Sequence, residues 1–191
     1  IPTLPVFTPH KETTKCRIVM NCSSITETGK SLNSLLPKGP LLLPDYAHVL
    51  LRFRARKYAF AMDISKMFLQ IAIDPQDRDY LRFIWIDKNG VERHGRMKCL
   101  VFGANSSPFQ AIWTILNHAE LFQTEFPLAK EKIDDDLYVD DVGTGSDTLE
   151  HAQESVRQLD QLFSLASMKT HKWVANDPRI MESISDDRNS K

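Results

Sequence analysis

Leu137-Tyr138-Val139-Asp140-Asp141-Val142-Gly143-Thr144-Gly145 is the stretch whose reading decides the fold. An apolar run ends on two adjacent carboxylates, and glycines follow at once. Leu137, Tyr138 and Val139 are strand formers, and Gly143 and Gly145 are turn residues. The stretch therefore reads as a β-hairpin whose tip carries the acid pair, with Val142 to Gly145 turning the chain back. Two like charges at a bend repel each other unless a cation sits there. Mg²⁺ takes a few carboxylate oxygens together with waters and substrate phosphates, so this pair plus a third Asp from another strand would suit it. By itself an acid pair also describes a solvated acidic turn, so the rest of the chain has to decide.

A third acid stands at the end of Tyr58-Ala59-Phe60-Ala61-Met62-Asp63-Ile64, a run that reads as a core strand. Burying an unpaired carboxylate is costly, so Asp63 is either a helix N-cap for Ser65 to Gln70 or a metal ligand. Asp63 and the Asp140-Asp141 pair, brought together by a sheet, would fit two-metal phosphoryl transfer. A calcium-binding loop is the natural rival. The stretch from Asp134 to Glu150 lacks its alternation of oxygen ligands, central Gly and terminal Glu.

The remaining chain reads as one compact unit of two lobes, since 191 residues can bury a sizeable core. Hydrophobic content of 42% and charged content of 26% are ordinary for a globular protein, and no run is long and apolar enough to span a bilayer. A net charge of -1 excludes a chain coated in positive charge. Local basic clusters at Lys11, Lys15 and Arg17 and at Arg52, Arg54, Arg56 and Lys57 leave nucleic-acid binding open. Cys16, Cys22 and Cys99 form neither a disulfide framework nor a zinc pattern, which makes a reduced intracellular setting the default. Ile1 stands where an initiator Met would, with no signal peptide, so the chain reads as a piece of something longer.

From the N-terminus, Pro2, Pro5 and Pro9 favour an extended strand, Lys15 to Met20 a second strand with Arg17 on one face, and Asn21 to Ser34 a polar loop. Pro44-Asp45 starts a helix with Val49, Leu50 and Phe53 inward and Arg52, Arg54 and Arg56 on its wet side. Pro75 to Asp79 suits a short polar helix. Leu81 to Ile86 and Val91 to Cys99 form a hairpin, with Asn89-Gly90 suited to a tight turn. Ser106 or Ser107 caps a helix with Pro108 in its first turn and Phe109, Ile112, Trp113, Leu116 and Ala119 at core spacing. Asp147-Thr148-Leu149-Glu150 resembles a capping box before an amphipathic helix carrying Leu149, Ala152, Val156, Leu159 and Phe163. After Met168 the chain is basic, and Asp177-Pro178 ends regular structure. This order describes an α+β domain, an antiparallel sheet backed by helices.

At this point the sequence resembles a reverse transcriptase, and more narrowly that of the Bel/Pao-type long-terminal-repeat retrotransposons. Thr14 to Asn21 looks like the fingers strand, Ser31 to Leu36 with Gly39-Pro40 like that group's linker, and Leu50 to Arg54 leads into motif A, Asp63-Ile64-Ser65-Lys66-Met67-Phe68. Phe102-Gly103 with Ser106-Ser107-Pro108-Phe109 looks like motif B, and Tyr138-Val139-Asp140-Asp141 like motif C. The resemblance implies the fingers and palm of a right-hand polymerase, with fingers at about 1–57 and 75–105 and palm at about 58–74 and 106–191. The thumb and ribonuclease H are not within it.

The resemblance further implies that Asp63, Asp140 and Asp141 are catalytic, and that with Ile64 they hold two Mg²⁺ ions, or Mn²⁺. Arg17, Phe68, Phe102 and Gly103 would bind the nucleotide, Arg17 at the triphosphate and Phe68 under the sugar. Phe102 stands where retroviral relatives carry Gln, and the second fingers lysine has His10 at its spacing with Lys11 one residue on. Lys172 is a candidate proton donor to pyrophosphate or a surface lysine. The implied partners are dNTPs, an RNA or DNA template with primer, and the rest of a parent polyprotein in the cytoplasm or a virus-like particle, with no membrane. The implied activity is RNA-directed DNA synthesis by nucleotidyl transfer to a primer 3′-hydroxyl. A catalytically silent retroelement remnant that at most binds nucleic acid is the alternative. An RNA-copying RNA polymerase is disfavoured because Phe68 leaves little room for a 2′-hydroxyl.

Overall fold

The computed structural model describes residues 1–9, 16–185 and 188; His10, Lys11, Thr14 and Lys15, singled out above, lie outside the described residues. The elements run β1 (Thr3–Phe7), β2 (Cys16–Met20), α1 (Leu32–Leu35), α2 (Tyr46–Ala55), β3 (Tyr58–Ile64), α3 (Met67–Gln70), β4 (Arg82–Ile86), β5 (Glu92–Arg96), α4 (Ser107–Leu121), α5 (Pro127–Asp136), β6 (Leu137–Tyr138), β7 (Asp141–Ser146), α6 (Leu149–Leu165) and β8 (Thr170–Ala175). This is an α+β fold with antiparallel sheets. The chain divides into two compact units, Ile1–Pro40 with Phe68–Ala111, and Leu41–Met67 with Ile112–Lys191.

In the first unit, β1 pairs with β2 and β4 with β5. The β4–β5 hairpin forms as expected, but its loop is longer than a two-residue Asn-Gly turn. Asp87 N–H donates to the Val91 carbonyl and Gly90 N–H to that of Asp87, so Gly90, at φ +76°, is the left-handed residue closing a turn. The Asp87 carboxylate holds the loop by accepting from the Asn89 and Val91 amides. Met20, Cys22, Leu81, Val101 and Ala104 form this unit's core. Of the expected short helix at 75 to 79, residues 75–77 form turns and Arg78 and Asp79 open a 3₁₀ helix, Arg78–Leu81.

The second unit holds the four-stranded sheet, in the order β6-β7-β3-β8. β3 is central because its alternating Phe60, Met62 and Ile64 are buried, whereas Ala61 and Asp63 are half-buried on the other face. α6 packs on β3 and β7 and buries Ala152, Val156, Leu159, Leu162 and Phe163, the periodic set expected of it. Its cap is one residue later than the sequence motif implies: Thr148 accepts from His151 N–H, and Asp147 instead pairs with Arg56. On α4, Ala111, Ile112, Ile115 and Ala119 are buried, but Trp113 is exposed.

Three elements are not written in the local sequence. α1 begins inside the stretch read as a polar loop, capped by Ser31, whose hydroxyl accepts from Ser34 N–H. α5 carries Lys-Glu-Lys and three Asp residues and looks polar, yet buries Ala129, Ile133 and Asp136. β8, basic at His171-Lys172, buries Thr170 and Trp173 and stacks Trp173 on Phe60 at 6.4 Å. Asp177-Pro178 leads into a further 3₁₀ turn, Pro178–Met181, which Asp177 caps.

Candidate active site

The acid hairpin forms, with its turn three residues earlier than the expected Val142 to Gly145 and with Asp141 already in the returning strand. Tyr138 pairs with Asp141, so Val139 and Asp140 are the two loop residues, and Gly143 and Gly145 lie inside β7 rather than in the turn. Gly145 is there for space: a Cβ would fall 2.6 Å from the Tyr58 carbonyl oxygen. Val139 makes the turn at φ +59°, a conformation costly for a β-branched residue and one that persists only where the surroundings enforce it.

Those surroundings are visible. Asp136, the last residue of α5, accepts from Arg52 Nε at 2.8 Å and from Thr144 Oγ1 at 2.6 Å, so one buried carboxylate ties both arms of the hairpin base to α2. Arg52 also donates to the Asp135 carbonyl, and Tyr46 lies against Tyr138 with ring centroids 4.7 Å apart. Arg52 is thus not on a wet helix face. Arg56 is likewise spent on Asp147 at 3.0 Å, which leaves Arg54 as the exposed charge of that helix.

The hairpin meets β3 in register. Asp63 is the partner of Asp141, and Ile64 N–H donates to the Asp140 carbonyl at 2.7 Å. The three aspartates therefore converge at one end of the sheet. Asp63 lies within β3 and does not cap α3. Its carboxylate is held by β8: His171 Nδ1 is 2.9 Å from Oδ2, and Lys172 Nζ is 3.3 Å from Oδ1. His171, unmarked by any sequence motif, is the site residue that sequence reasoning missed.

Desolvation by the surrounding protein first, then the charges of Asp140 and Asp63, push the Asp141 carboxyl above its usual range, while Lys172 and His171 pull the other way. The acid end of the sheet is thus over-supplied with negative charge. For an acid with a raised pKa, folding favours the protonated form, and this contribution is lost as pH rises through the folded value. Asp141→Asn should therefore raise the melting temperature of the metal-free protein at neutral pH, with the gain vanishing on acidification. A lower melting temperature at neutral pH would contradict the charge crowding.

Hard carboxylate oxygens in this crowded arrangement are the donor set that Mg²⁺ or Mn²⁺ takes. As the side chains stand, however, no group of three or more His, Cys, Asp or Glu among the described residues is gathered as a metal cradle, the Asp63 carboxylate being turned to His171 and Lys172.

The nucleotide-binding candidates lie in the first unit. Arg17 is exposed on β2 opposite Val6. Phe68 and Phe102 meet edge to face at 5.0 Å, each half-buried. The Phe102-Gly103 turn is seated on β2: Met20 N–H donates to the Phe102 carbonyl, and a Cβ on Gly103, at φ +111°, would fall 1.9 Å from the Met20 carbonyl oxygen. Only glycine fits that approach. Asn33 locks the turn from the other side, donating to the Gly103 carbonyl and accepting from Asn105 N–H, both at 2.9 Å. Ser107 hydroxyl donates to the Val101 carbonyl, tying the start of α4 to the same turn.

The chain has a reverse-transcriptase-like fold. Among the solved structures it is similar to is the protease-reverse transcriptase of prototype foamy virus, a selenomethionine-labelled CSH mutant, matched with a TM-score of 0.63 and 19% identity over 88% of this chain. The chain spans 19% of that protein's length. No protein-family model and no curated protein matches the sequence. Among the described residues no helix is long and apolar enough to cross a membrane.

Proposed function

We propose that this chain is the fingers and palm core of an RNA-directed DNA polymerase from a Bel/Pao-type retrotransposon polyprotein, transferring nucleotides from dNTPs to a primer 3′-hydroxyl on an RNA or DNA template. The observation that carries the reading is the register of Asp63 with Asp141, closed by the Ile64 to Asp140 backbone hydrogen bond. It makes acids from two distant stretches neighbours at one sheet end, which a merely solvated acidic turn does not require.

In this reading Asp63, Asp140, Asp141 and the Ile64 carbonyl would hold two Mg²⁺ or Mn²⁺ ions. Bound there, the ions would activate the primer hydroxyl and steady the leaving pyrophosphate. Arg17 binds the triphosphate, and the Phe102-Gly103 turn contacts the nucleotide and template. Lys172 is the candidate proton donor to pyrophosphate, and its Nζ is 3.3 Å from the Asp63 carboxylate. The setting is the cytoplasm or a virus-like particle.

The test is templated primer extension by the full-length parent with Mg²⁺ or Mn²⁺, on RNA and on DNA templates. Metal-dependent DNA synthesis on RNA is expected. A folded parent that binds primer-template without extending it would instead support the silent remnant.

Phe68 supplies a residue-level check. Its ring would exclude a ribose 2′-hydroxyl by volume and offer it no hydrogen-bond partner. Phe68→Val should raise ribonucleotide incorporation relative to deoxyribonucleotide by about 10- to 100-fold while synthesis continues. Unchanged sugar discrimination in single-nucleotide kinetics would reduce Phe68 to a packing partner of Phe102.

A further inference from the structure

We infer that His171 and Lys172 form a clamp on the Asp63 carboxylate which a divalent cation must displace, so that His171 sets how tightly the acid cluster takes metal. This rests on the reading of Asp63, Asp140 and Asp141 as the metal ligands.

The clamp depends on a break in strand alternation. Consecutive residues of a strand point to opposite faces, so His171 and Lys172 would not ordinarily reach one carboxylate. Here β8 pairs Asp63 with His171 but Ala61 with Val174, so Lys172 and Trp173 together oppose Met62 in a β-bulge. Lys172 takes the left-handed conformation, φ +53°, at this bulge. Both side chains then contact Asp63, one on each carboxylate oxygen. A strained backbone at a non-glycine residue beside Asp63 would otherwise be a pure cost.

The chemistry of the contact identifies the donor. His171 Nδ1 faces the Asp63 Oδ2 at 2.9 Å and the Asp63 backbone carbonyl at 3.1 Å, and both oxygens only accept, so Nδ1 carries the hydrogen. That hydrogen and a metal ion compete for the same oxygen. Burial ranks the two partners. The His171 and Asp63 side chains are 26% and 17% exposed, whereas Lys172 is 52% exposed and its pairing is screened by water.

Titration of the metal-free full chain with Mn²⁺ alone, following the free-ion signal by electron paramagnetic resonance, tests the clamp. His171→Ala should bind Mn²⁺ about tenfold more tightly than wild type, Lys172→Met about twofold more tightly. His171→Asn keeps an N–H where Nδ1 stands and should stay close to wild type. Unchanged or weakened binding in His171→Ala would overturn the clamp, and so would His171→Asn binding as tightly as His171→Ala. Asp63→Asn tests the ligand assignment apart from the clamp. Loss of Mn²⁺ binding upholds the ligand assignment, and undiminished binding removes that assignment and the clamp with it.

Discussion

Asp140→Asn in the full-length parent is expected to lower templated primer extension by about 10³-fold or more, equivalent to about 4 kcal/mol of transition-state stabilisation, with the fold intact. The fold survives because the structural contact at this position uses the backbone: Ile64 N–H donates to the Asp140 carbonyl, which asparagine retains. The substitution removes a charge and almost no volume. What is lost is a hard anionic oxygen at the point where Asp63 and Asp141 already crowd negative charge. Single-turnover extension beside circular dichroism of the same preparation checks the claim. Extension within tenfold of wild type by a folded Asp140→Asn protein would rule out metal catalysis through this triad.

The second large effect is on stability. Arg52→Met should cost about 2–4 kcal/mol and lower the melting temperature by about 5–10 °C, because it leaves the buried Asp136 carboxylate without its cationic partner. The lower part of the range for such pairs applies, since the Arg52 side chain is 35% exposed and partly solvated. Asp136 keeps its hydrogen bond from Thr144 but loses that from Arg52, and the Asp135 carbonyl loses its donor as well. The double variant Arg52→Met with Asp136→Asn should recover part of the loss, since the unpaired charge is gone. A melting temperature within 2 °C of wild type for Arg52→Met alone would show that the network carries little energy. Because Asp136 immediately precedes β6, the same loss should loosen the enforced turn at Val139.

Local chemistry determined much of this protein at the level of sequence. The apolar run from Tyr58 to Met62 specifies a core strand, and the three- and four-residue steps from Ala152 to Phe163 specify an amphipathic helix. The hairpin of β4 and β5 is written in the strand formers of β4 and in Asn89-Gly90, although β5 itself is polar. The same information made Asp63 and the Asp140-Asp141 pair anomalous enough to single out, since an acid ending an apolar run needs a partner. Asn33, although within the linker block that the sequence marks, shows its role only when the Gly103 turn is brought against it.

Non-local pairing decided the rest. The acidic composition of α5 hides a helix whose last carboxylate is buried, because the arginine that satisfies it comes from α2. The hairpin turns at Val139-Asp140 rather than at the glycines because Gly145 is needed for close approach to β3, and that neighbour is set by sheet order. The paired reach of His171 and Lys172 onto Asp63 arises from a bulge, a mismatch between two strands that neither strand's own pattern contains. Propensity and periodicity act over a few residues, whereas register and the pairing of buried charge are settled only when distant segments meet.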